Sequence, residues 1–130
     1  MRLWHYSLIP HLPRTQLLAQ WRELNSIFVN QPNHILINYV YEDKVAFYNY
    51  SIRVINEINR RHYRISSQKS WENFCQYFID HIDYMDKHMF KEHDNEYLEI
   101  CYWNLREKYI RGQKDFSEEL WDGIEEIYYD

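Results

Sequence analysis

The apolar side chains of residues 14–28 recur at the three- and four-residue spacing of a helix with one buried face. They are Leu17, Leu18, Trp21, Leu24 and Phe28. At about 100° per residue, Glu23 falls roughly 200° from the centre of this stripe, so it points away from the helix's own core face. A carboxylate in that position is ordinarily solvated. The pattern alone therefore gives Glu23 no function.

Further helices are predicted along the rest of the chain. The second covers residues 44–61, and its stripe comprises Phe47, Tyr48, Ser51, Ile52, Ile55 and Ile58. Ser70 can cap a third over residues 71–88, and Asp94 a fourth over residues 95–111 that Gly112 ends. A short last helix is expected over residues 117–128. Residues 34–41 fit either a turn or a helix.

Residues 1–13 are predicted to form an extended N-terminal arm, because Pro10 and Pro13 stop any helix from beginning earlier. The apolar side chains expected to pack inward are Trp4, Tyr6, Leu8 and Ile9. With 130 residues the chain is large enough for one core but not for two. We therefore predict an all-α protein in which residues 1–130 form a single compact domain of four to five helices with this arm.

The chain has no feature of a membrane or secreted protein. No stretch approaches the roughly 18 to 20 apolar residues that span a bilayer. Polar residues and prolines also interrupt the apolar run that a secretory signal requires. Cys75 and Cys101 are too few for a disulfide framework, and their helical, apolar surroundings predict buried free thiols. A cytoplasmic protein is expected.

Charge is unevenly distributed along the chain. Residues 1–64 carry 8 Lys and Arg against 4 Asp and Glu, whereas residues 65–130 carry 7 against 16. A uniformly acidic protein would argue against binding to nucleic acid. The basic excess of the first half keeps that class of partner open.

A metal site is not expected. The His- and acid-rich stretch contains His81, His88 and His93 among Asp80, Asp83, Asp86, Glu92 and Asp94. Only His88 and Glu92 have the four-residue spacing that shares one helix face, so a solvated acidic face explains the stretch better. The chain also lacks a P-loop, a Gly-x-Gly-x-x-Gly run and a Gly-x-Ser-x-Gly run.

Two short motifs give the sequence a family likeness. Residues 17–24 read Leu-x-Ala-x-aromatic-Arg-Glu-Leu, and the chain starts with Met1-Arg2. Together with the basic and aromatic run of residues 60–65, these motifs resemble the pyrimidine-dimer DNA glycosylase family, as in an endonuclease V-like helical domain. The likeness covers about half of the chain well.

The resemblance implies a terminal amine as nucleophile. An α-amino group, with a pKa of about 7.7–8.0, is neutral more often at pH 7 than a lysine amine. Because the bulky Arg2 favours retention of the initiator methionine, the Met1 amine is expected to take the nucleophile's place. Glu23 would then be the second catalytic group, assisting proton transfers. The spacing from Arg2 to Arg22-Glu23 is one residue longer than in the phage members of the family.

The resemblance also implies contacts with DNA. Arg2 and Arg22 would hold phosphates or an extruded nucleotide. The family has a further basic residue three positions after this glutamate, and here that position is occupied by Ser26. Arg14 either replaces that basic residue or is an exposed residue at a helix start. His34 would touch phosphate or sugar. The cluster of Arg60, Arg61 and Arg64 either continues a DNA track or complements the negative end of a helix dipole.

The expected function is DNA repair by base excision. The protein would be a DNA glycosylase with AP-lyase activity, hence a hydrolase and lyase, acting on duplex DNA that carries a pyrimidine dimer or an abasic site. No cofactor would be needed. The aromatic tail, Trp121 and Tyr128-Tyr129, favours packing or a homodimer contact because acids surround it. The alternative is a non-catalytic helical module that retains the fold and binds nucleic acid or a protein.

Overall fold

A computed structural model describes residues 1–65, 67–80 and 85–130. The chain is all-α, and its described residues contain no strand. The five α-helices are α1 (Arg14–Asn30), α2 (Lys44–Arg60), α3 (Gln68–Tyr77), α4 (Asn95–Ile110) and α5 (Glu118–Tyr129). Two 3-10 helices, Tyr6–His11 and Asn38–Glu42, complete the described elements. The predicted fold class and helix number are confirmed, whereas the single domain stays a prediction.

The N-terminal arm was predicted to be extended, and this is wrong for part of it, because the arm contains the 3-10 helix Tyr6–His11. The His5 side chain caps this helix by accepting the backbone N–H of Ser7. Pro10 lies within it, because the fixed φ of proline suits a short 3-10 turn. The predicted inward packing is confirmed. Leu8 and Ile9 are fully buried, while Trp4 and Tyr6 pack half-buried against the core.

The first two long helices begin where the periodicity predicts. Asp43 caps α2 by accepting the backbone N–H of Ala46. Helix α1 ends at Asn30, and its C-cap Gln31 has a left-handed φ of 45°. Helices α1, α2 and α3 pack together around aromatic side chains, with the rings of Phe28 and Phe47 5.5 Å apart. The buried apolar side chains of the arm belong to the same hydrophobic core.

The prediction for the third helix, residues 71–88 with Ser70 as cap, is wrong at both ends. Ser67 is the cap, because its backbone is extended and its side chain accepts the N–H of Ser70. Ser70 is already helical, and its hydroxyl accepts the indole N–H of Trp21. Helix α3 ends at Tyr77. Its C-cap, Phe78, packs into the aromatic core, and residues 86–90 are not helical.

The last two helices form as predicted. Asp94 caps α4, and Gly112, with a φ of 89°, follows its end. Helix α5 packs against α4 and against the 3-10 helix of the arm. A Cβ at Gly123 would lie 2.2 Å from His11 Nδ1, so glycine permits this close approach. No described helix is both long and apolar enough to cross a bilayer.

The two cysteines differ in their surroundings. Both are free thiols, as expected, and Cys101 is buried. Cys75, however, is exposed, so the expectation of a buried thiol is wrong there. Cys75 lies on the outer face of the short helix α3, whereas Cys101 lies on the inner face of α4.

Candidate active site at the N-terminus

Side chains from the first two helices hold the backbone of the arm. The N–H of Trp4 donates to Gln20 Oε1 of α1 at 2.8 Å, and the Tyr50 hydroxyl of α2 donates to the Trp4 carbonyl at 2.6 Å. Arg53 Nε, also from α2, donates to the Tyr6 carbonyl at 2.9 Å. Gln20 and Tyr50 are buried, so these bonds satisfy polar groups that water does not reach.

The C-terminal half contributes further bonds to the same backbone. From α4, the Tyr97 hydroxyl donates to the carbonyl oxygen of Leu3. The N–H of His5 donates to Cys101 Sγ, also on α4, at 3.4 Å. Backbone groups of the arm are thus fixed by side chains that come from α1, α2 and α4. We call these bonds the arm clamp.

His93, just before α4, belongs to the arm clamp as a neutral ring. Its Nδ1 accepts the backbone N–H of Tyr6 at 3.2 Å, so the proton of the neutral ring lies on Nε2. Nε2 then donates to the Tyr39 hydroxyl, 2.7 Å away. Burial lowers the pKa of His93 to about 3, and the charge of His5 acts in the same direction. The ring therefore stays neutral at physiological pH.

The Tyr39, Tyr97 and Cys101 side chains of the clamp are also neutral. Burial raises the pKa of the Tyr39 and Tyr97 hydroxyls above their ordinary values. Burial likewise raises the pKa of the Cys101 thiol, which disfavours the thiolate that nucleophilic chemistry requires. These groups act as hydrogen-bonding supports for the arm.

The clamped arm brings the chain terminus to Glu23. This carboxyl group is half-buried, and burial raises its pKa. The charge of the Met1 amine, a hydrogen bond from the backbone N–H of Arg2 and the charge of Arg22 act in the opposite direction. Gln20 Nε2 also donates to Glu23 Oε2 at 3.3 Å. Glu23 is therefore part of a polar contact with the arm and is not a freely solvated side chain.

The side chain of Arg2 turns toward the buried part of the site. Its charge opposes the rise in the pKa of Tyr39, Tyr97 and Cys101, so the guanidinium lies near all three. Its Nη1 is buried and has no hydrogen-bond partner in the described part of the chain. A buried guanidinium N–H without a partner is unfavourable, and an anionic group could satisfy it.

The basic residues of α1 lie on its surface. Arg22 is exposed beside Glu23, and the exposed Arg14 lies over the ring of Tyr63 at 5.3 Å. Ser26, one turn after Arg22, accepts a hydrogen bond from Asn30 at 3.4 Å. Arg22 is thus an accessible cation directly beside Glu23 in the sequence.

The arginines at the end of α2 differ in their burial and in their hydrogen-bond partners. Arg61 is nearly buried and donates to Glu57 and to the carbonyls of Leu12 and Pro10, at 2.6 and 3.0 Å for the two carbonyls. Arg60 is exposed but also bonds Glu57. Burial acts to raise the pKa of Glu57, yet the two arginines outweigh it and lower the pKa.

These bonds give Arg61 a structural role in attaching the arm to α2. Arg64 is exposed at the end of this segment. For Arg60, Arg61 and Arg64 alike, a DNA contact stays a prediction, and Arg60 and Arg64 are the exposed ones.

His34 is engaged in its own turn. Its Nδ1 accepts the backbone N–H of Leu36 at 3.2 Å, and its backbone N–H donates to Asn38 Oδ1 at 2.8 Å. The ring is half-buried. A contact of His34 with phosphate or sugar stays a prediction.

The acid-rich stretch provides no metal cluster among the described residues. His88 bonds Asp43 and Asp86 through its two ring nitrogens, at 2.9 and 3.0 Å. These hydrogen bonds raise the pKa of His88. His93 is part of the arm clamp, while His81 and Asp83 lie outside the described residues.

The aromatic tail packs on α4. The rings of Tyr128 and Tyr102 stack 3.9 Å apart, and Trp121 is buried beside them. Tyr129 remains exposed. The packing expected of the tail is confirmed, and a homodimer contact stays a prediction.

The residues that build the arm clamp were not among the site residues predicted from the sequence. One available signal was Gln20, because it lies within the apolar stripe of α1, where a buried amide needs partners. Tyr50, His93, Tyr97 and Cys101 carried no such signal, since buried aromatic residues and thiols are common in any core.

Comparison with known proteins gives one match. The family model described as pyrimidine dimer DNA glycosylase matches residues 1–73 of the chain. This region contains the arm, α1, α2 and the first part of α3. Neither the curated proteins nor the solved structures include a match to the chain.

Proposed function

The chain belongs to the pyrimidine dimer DNA glycosylase family, and from this premise we propose that it is a DNA glycosylase with AP-lyase activity. Its substrate would be duplex DNA that carries a pyrimidine dimer or an abasic site. One observation carries the proposal. The arm clamp holds the start of the chain so that the charge of the Met1 amine acts on the half-buried carboxyl group of Glu23.

The Met1 amine would begin the reaction in its neutral form. Its nitrogen lone pair attacks the sugar C1′, the C1′–N bond to the damaged base breaks, and the base leaves with the bonding electrons and takes up a proton. The ammonium nitrogen now bonded to C1′ loses one proton, the C1′–O4′ bond breaks as O4′ takes up a proton, and the nitrogen lone pair forms a protonated imine with C1′. Removal of a C2′ proton then expels the 3′ phosphate by β-elimination. None of these steps requires a metal or an organic cofactor.

Glu23 would stabilise and relay charge in this sequence. As a carboxylate it faces the positive charge that develops on the sugar and on the imine nitrogen. Burial raises its pKa, which makes the carboxylate a stronger base for the proton transfers. The amine and Glu23 therefore form a nucleophile and base pair that the arm keeps together.

Phosphate contacts would come from the basic half of the chain. Arg22 is exposed next to Glu23, and Arg14 and Arg64 are exposed on the same half of the sequence. Arg2 adds a buried Nη1 without a partner in the described residues, which a phosphate or an extruded base could satisfy. His34, Arg60 and Arg61 would contribute at the edge of the contact.

One added residue tests the chemistry. A glycine placed before Met1 moves the amine about 3.6 Å along the chain and leaves every side chain in place. We expect cleavage of an abasic duplex to be lost, while DNA affinity and thermal stability stay unchanged. A glycine added after Asp130 is the matched control, and intact mass verifies the free Met1 amine. Cleavage that persists with the N-terminal glycine would disprove the role of Met1.

A second candidate is a non-catalytic module that retains the fold and binds nucleic acid or a protein. Ser26, in place of the family's basic residue, and the acidic C-terminal half favour it. This candidate predicts no cleavage by either the unmodified protein or the extended one. The same experiment therefore separates the two.

A further inference from the structure

Gln20 bonds both the arm and Glu23 through one side chain. It lies on α1, one turn before Glu23, and only 1% of its surface is exposed. Its Oε1 accepts the backbone N–H of Trp4 at 2.8 Å and lies 3.0 Å from the Tyr50 hydroxyl. Its Nε2 donates to Glu23 Oε2 at 3.3 Å. Within the described residues, a single amide therefore connects the backbone of the arm to the candidate base.

The orientation of this amide is fixed by its neighbours. The Trp4 N–H can only donate, so the oxygen of the Gln20 amide must face it. The nitrogen then faces Glu23, where an ionised carboxylate can only accept. The Tyr50 hydroxyl is a third support, since it lies 2.6 Å from the Trp4 carbonyl and within bonding distance of Oε1.

We infer that Gln20 is a positioning residue for the proposed reaction: it ties the carboxylate of Glu23 to the arm and so sets the geometry between that base and the Met1 amine. The inference rests on the proposed function for its catalytic consequence only. The tie itself is a property of the folded protein, and it is measurable without a substrate.

Glutamine is suited to this place because it both accepts and donates. Methionine has a similar length but would leave the Trp4 N–H without its acceptor and Glu23 without a donor. Glutamate would keep the acceptor but would place a second carboxyl group against Glu23. Like charges at that distance favour protonation of one of the two.

The groups that face Glu23 determine the sign of the effect. They are the Met1 amine, the backbone N–H of Arg2 and the side chains of Arg22 and Gln20, while the neutral Tyr50 hydroxyl lies behind Gln20 on α2. All but Tyr50 favour the ionised carboxylate. Removing the Gln20 donor therefore raises the pKa of Glu23, and the pH below which the carboxylate is protonated moves upward.

Gln16 provides a matched control. It lies one turn earlier on the same helix, is 8% exposed and exchanges two amide hydrogen bonds with Gln113, at 3.0 and 2.7 Å. Replacing Gln16 by methionine removes the same kind of group from the same helix and leaves the Gln20–Glu23 bond in place. Thermal unfolding of both variants measures the shared cost of losing a buried amide.

The test has two measurements on Gln20→Met, with Gln16→Met alongside. Carboxyl-carbon NMR titration, with the Glu23 signal assigned by its loss in Glu23→Gln, reports the pKa of Glu23. Trapping of the abasic duplex by borohydride, followed as a function of pH, reports the reaction. We expect Gln20→Met, but not Gln16→Met, to raise the Glu23 pKa and to move the acid limb of the rate profile to higher pH. Trapping by Gln20→Met should also be slower by about tenfold or more. Gln20→Glu, which preserves shape, should shift both in the same direction if the methionine variant does not fold.

The outcomes separate the two proposals. A raised Glu23 pKa without trapping by the unmodified protein would support the tie between Gln20 and Glu23 and contradict the proposed chemistry. Trapping with an unchanged Glu23 pKa and an unchanged pH profile in both Gln20 variants would overturn the positioning role and leave the chemistry intact. Equal effects of Gln16→Met and Gln20→Met on the titration would overturn it as well.

Discussion

The hydroxyl of Tyr97 donates a hydrogen bond to the backbone carbonyl of Leu3, although 94 residues separate the two in sequence. Tyr97 lies on α4, beyond the residues that the family model matches. The C-terminal half therefore completes the support of the N-terminal arm. The clamp is a property of the whole chain and not of the family-matched part alone.

Tyr97→Phe tests this support. Phenylalanine keeps the ring and removes the hydroxyl, which leaves the buried Leu3 carbonyl without its donor. We expect a loss of about 1–3 kcal/mol in the free energy of unfolding, measured by urea titration. Tyr109→Phe, an exposed position on the same helix, should change it little. Equal stability of Tyr97→Phe and the unmodified protein would show that this bond does not hold the arm.

The neutral ring of His93 predicts a pH dependence of stability. Its pKa falls from an ordinary 6.5 to about 3 on folding because the ring is buried. Between those values the unfolded chain binds a proton that the folded protein does not. The free energy of unfolding should thus be greatest above pH 6.5 and fall as the pH falls toward 3, by about 1.4 kcal/mol per pH unit for this group.

His93→Gln isolates that contribution, since glutamine can still accept the Tyr6 N–H and donate to Tyr39. We expect the slope of unfolding free energy against pH to be shallower in this variant, as measured by urea titrations from about pH 4 to about pH 7. His62→Asn is the control, because His62 is exposed and asparagine tolerates its φ of 61°. An identical slope in His93→Gln and His62→Asn would contradict the prediction.

Gly123 allows α5 to pack on the arm. An alanine Cβ there would lie 2.2 Å from His11 Nδ1, so the imidazole would have to move. Alanine favours a helix by up to about 1 kcal/mol, but overpacking costs about 1–3 kcal/mol. We expect Gly123→Ala to destabilise the protein in urea titrations, and His11→Ala to remove most of that effect in the double variant. A Gly123→Ala protein as stable as the unmodified one would show that α5 does not press on His11.

Arg22 should contribute to DNA binding through phosphate. Arg22→Gln is expected to weaken binding to a duplex and to reduce the slope of log affinity against log salt by about one. Arg111→Gln is the matched control, because Arg111 is exposed in the acidic half and pairs with Glu107 at 2.8 Å. Affinity measured by fluorescence anisotropy at several salt concentrations gives both slopes. The same slope in Arg22→Gln and the unmodified protein would exclude this contact.

The fold was predictable where local signals determine it. The proline at position 13 sets the start of α1, and the side chain of Asp94 sets the start of α4. The third helix was misjudged because Ser67 and Ser70 are equally good caps in sequence, and only the extended backbone at Ser67 distinguishes them. The 3-10 helix of the arm was not predicted, because Pro10 and Pro13 indicate an extended chain in the sequence.

The site was predictable only in part, for a related reason. Met1, Arg2, Arg22 and Glu23 carry the family motif, and motifs are visible in sequence. The residues that hold them together, such as Gln20 and Tyr97, meet the arm through tertiary contacts. No spacing along the chain indicates that a tyrosine of α4 will donate to a carbonyl at residue 3.

Borohydride trapping captures an imine at the Met1 amine as a stable covalent adduct. The unmodified protein, with a free Met1 amine verified by intact mass, is incubated with duplexes that carry an abasic site or a thymine dimer, and Glu23→Gln is treated in parallel. We expect a covalent adduct that peptide mapping assigns to residue 1 and that forms more slowly with Glu23→Gln. The absence of an adduct with both duplexes, from folded protein, would contradict it.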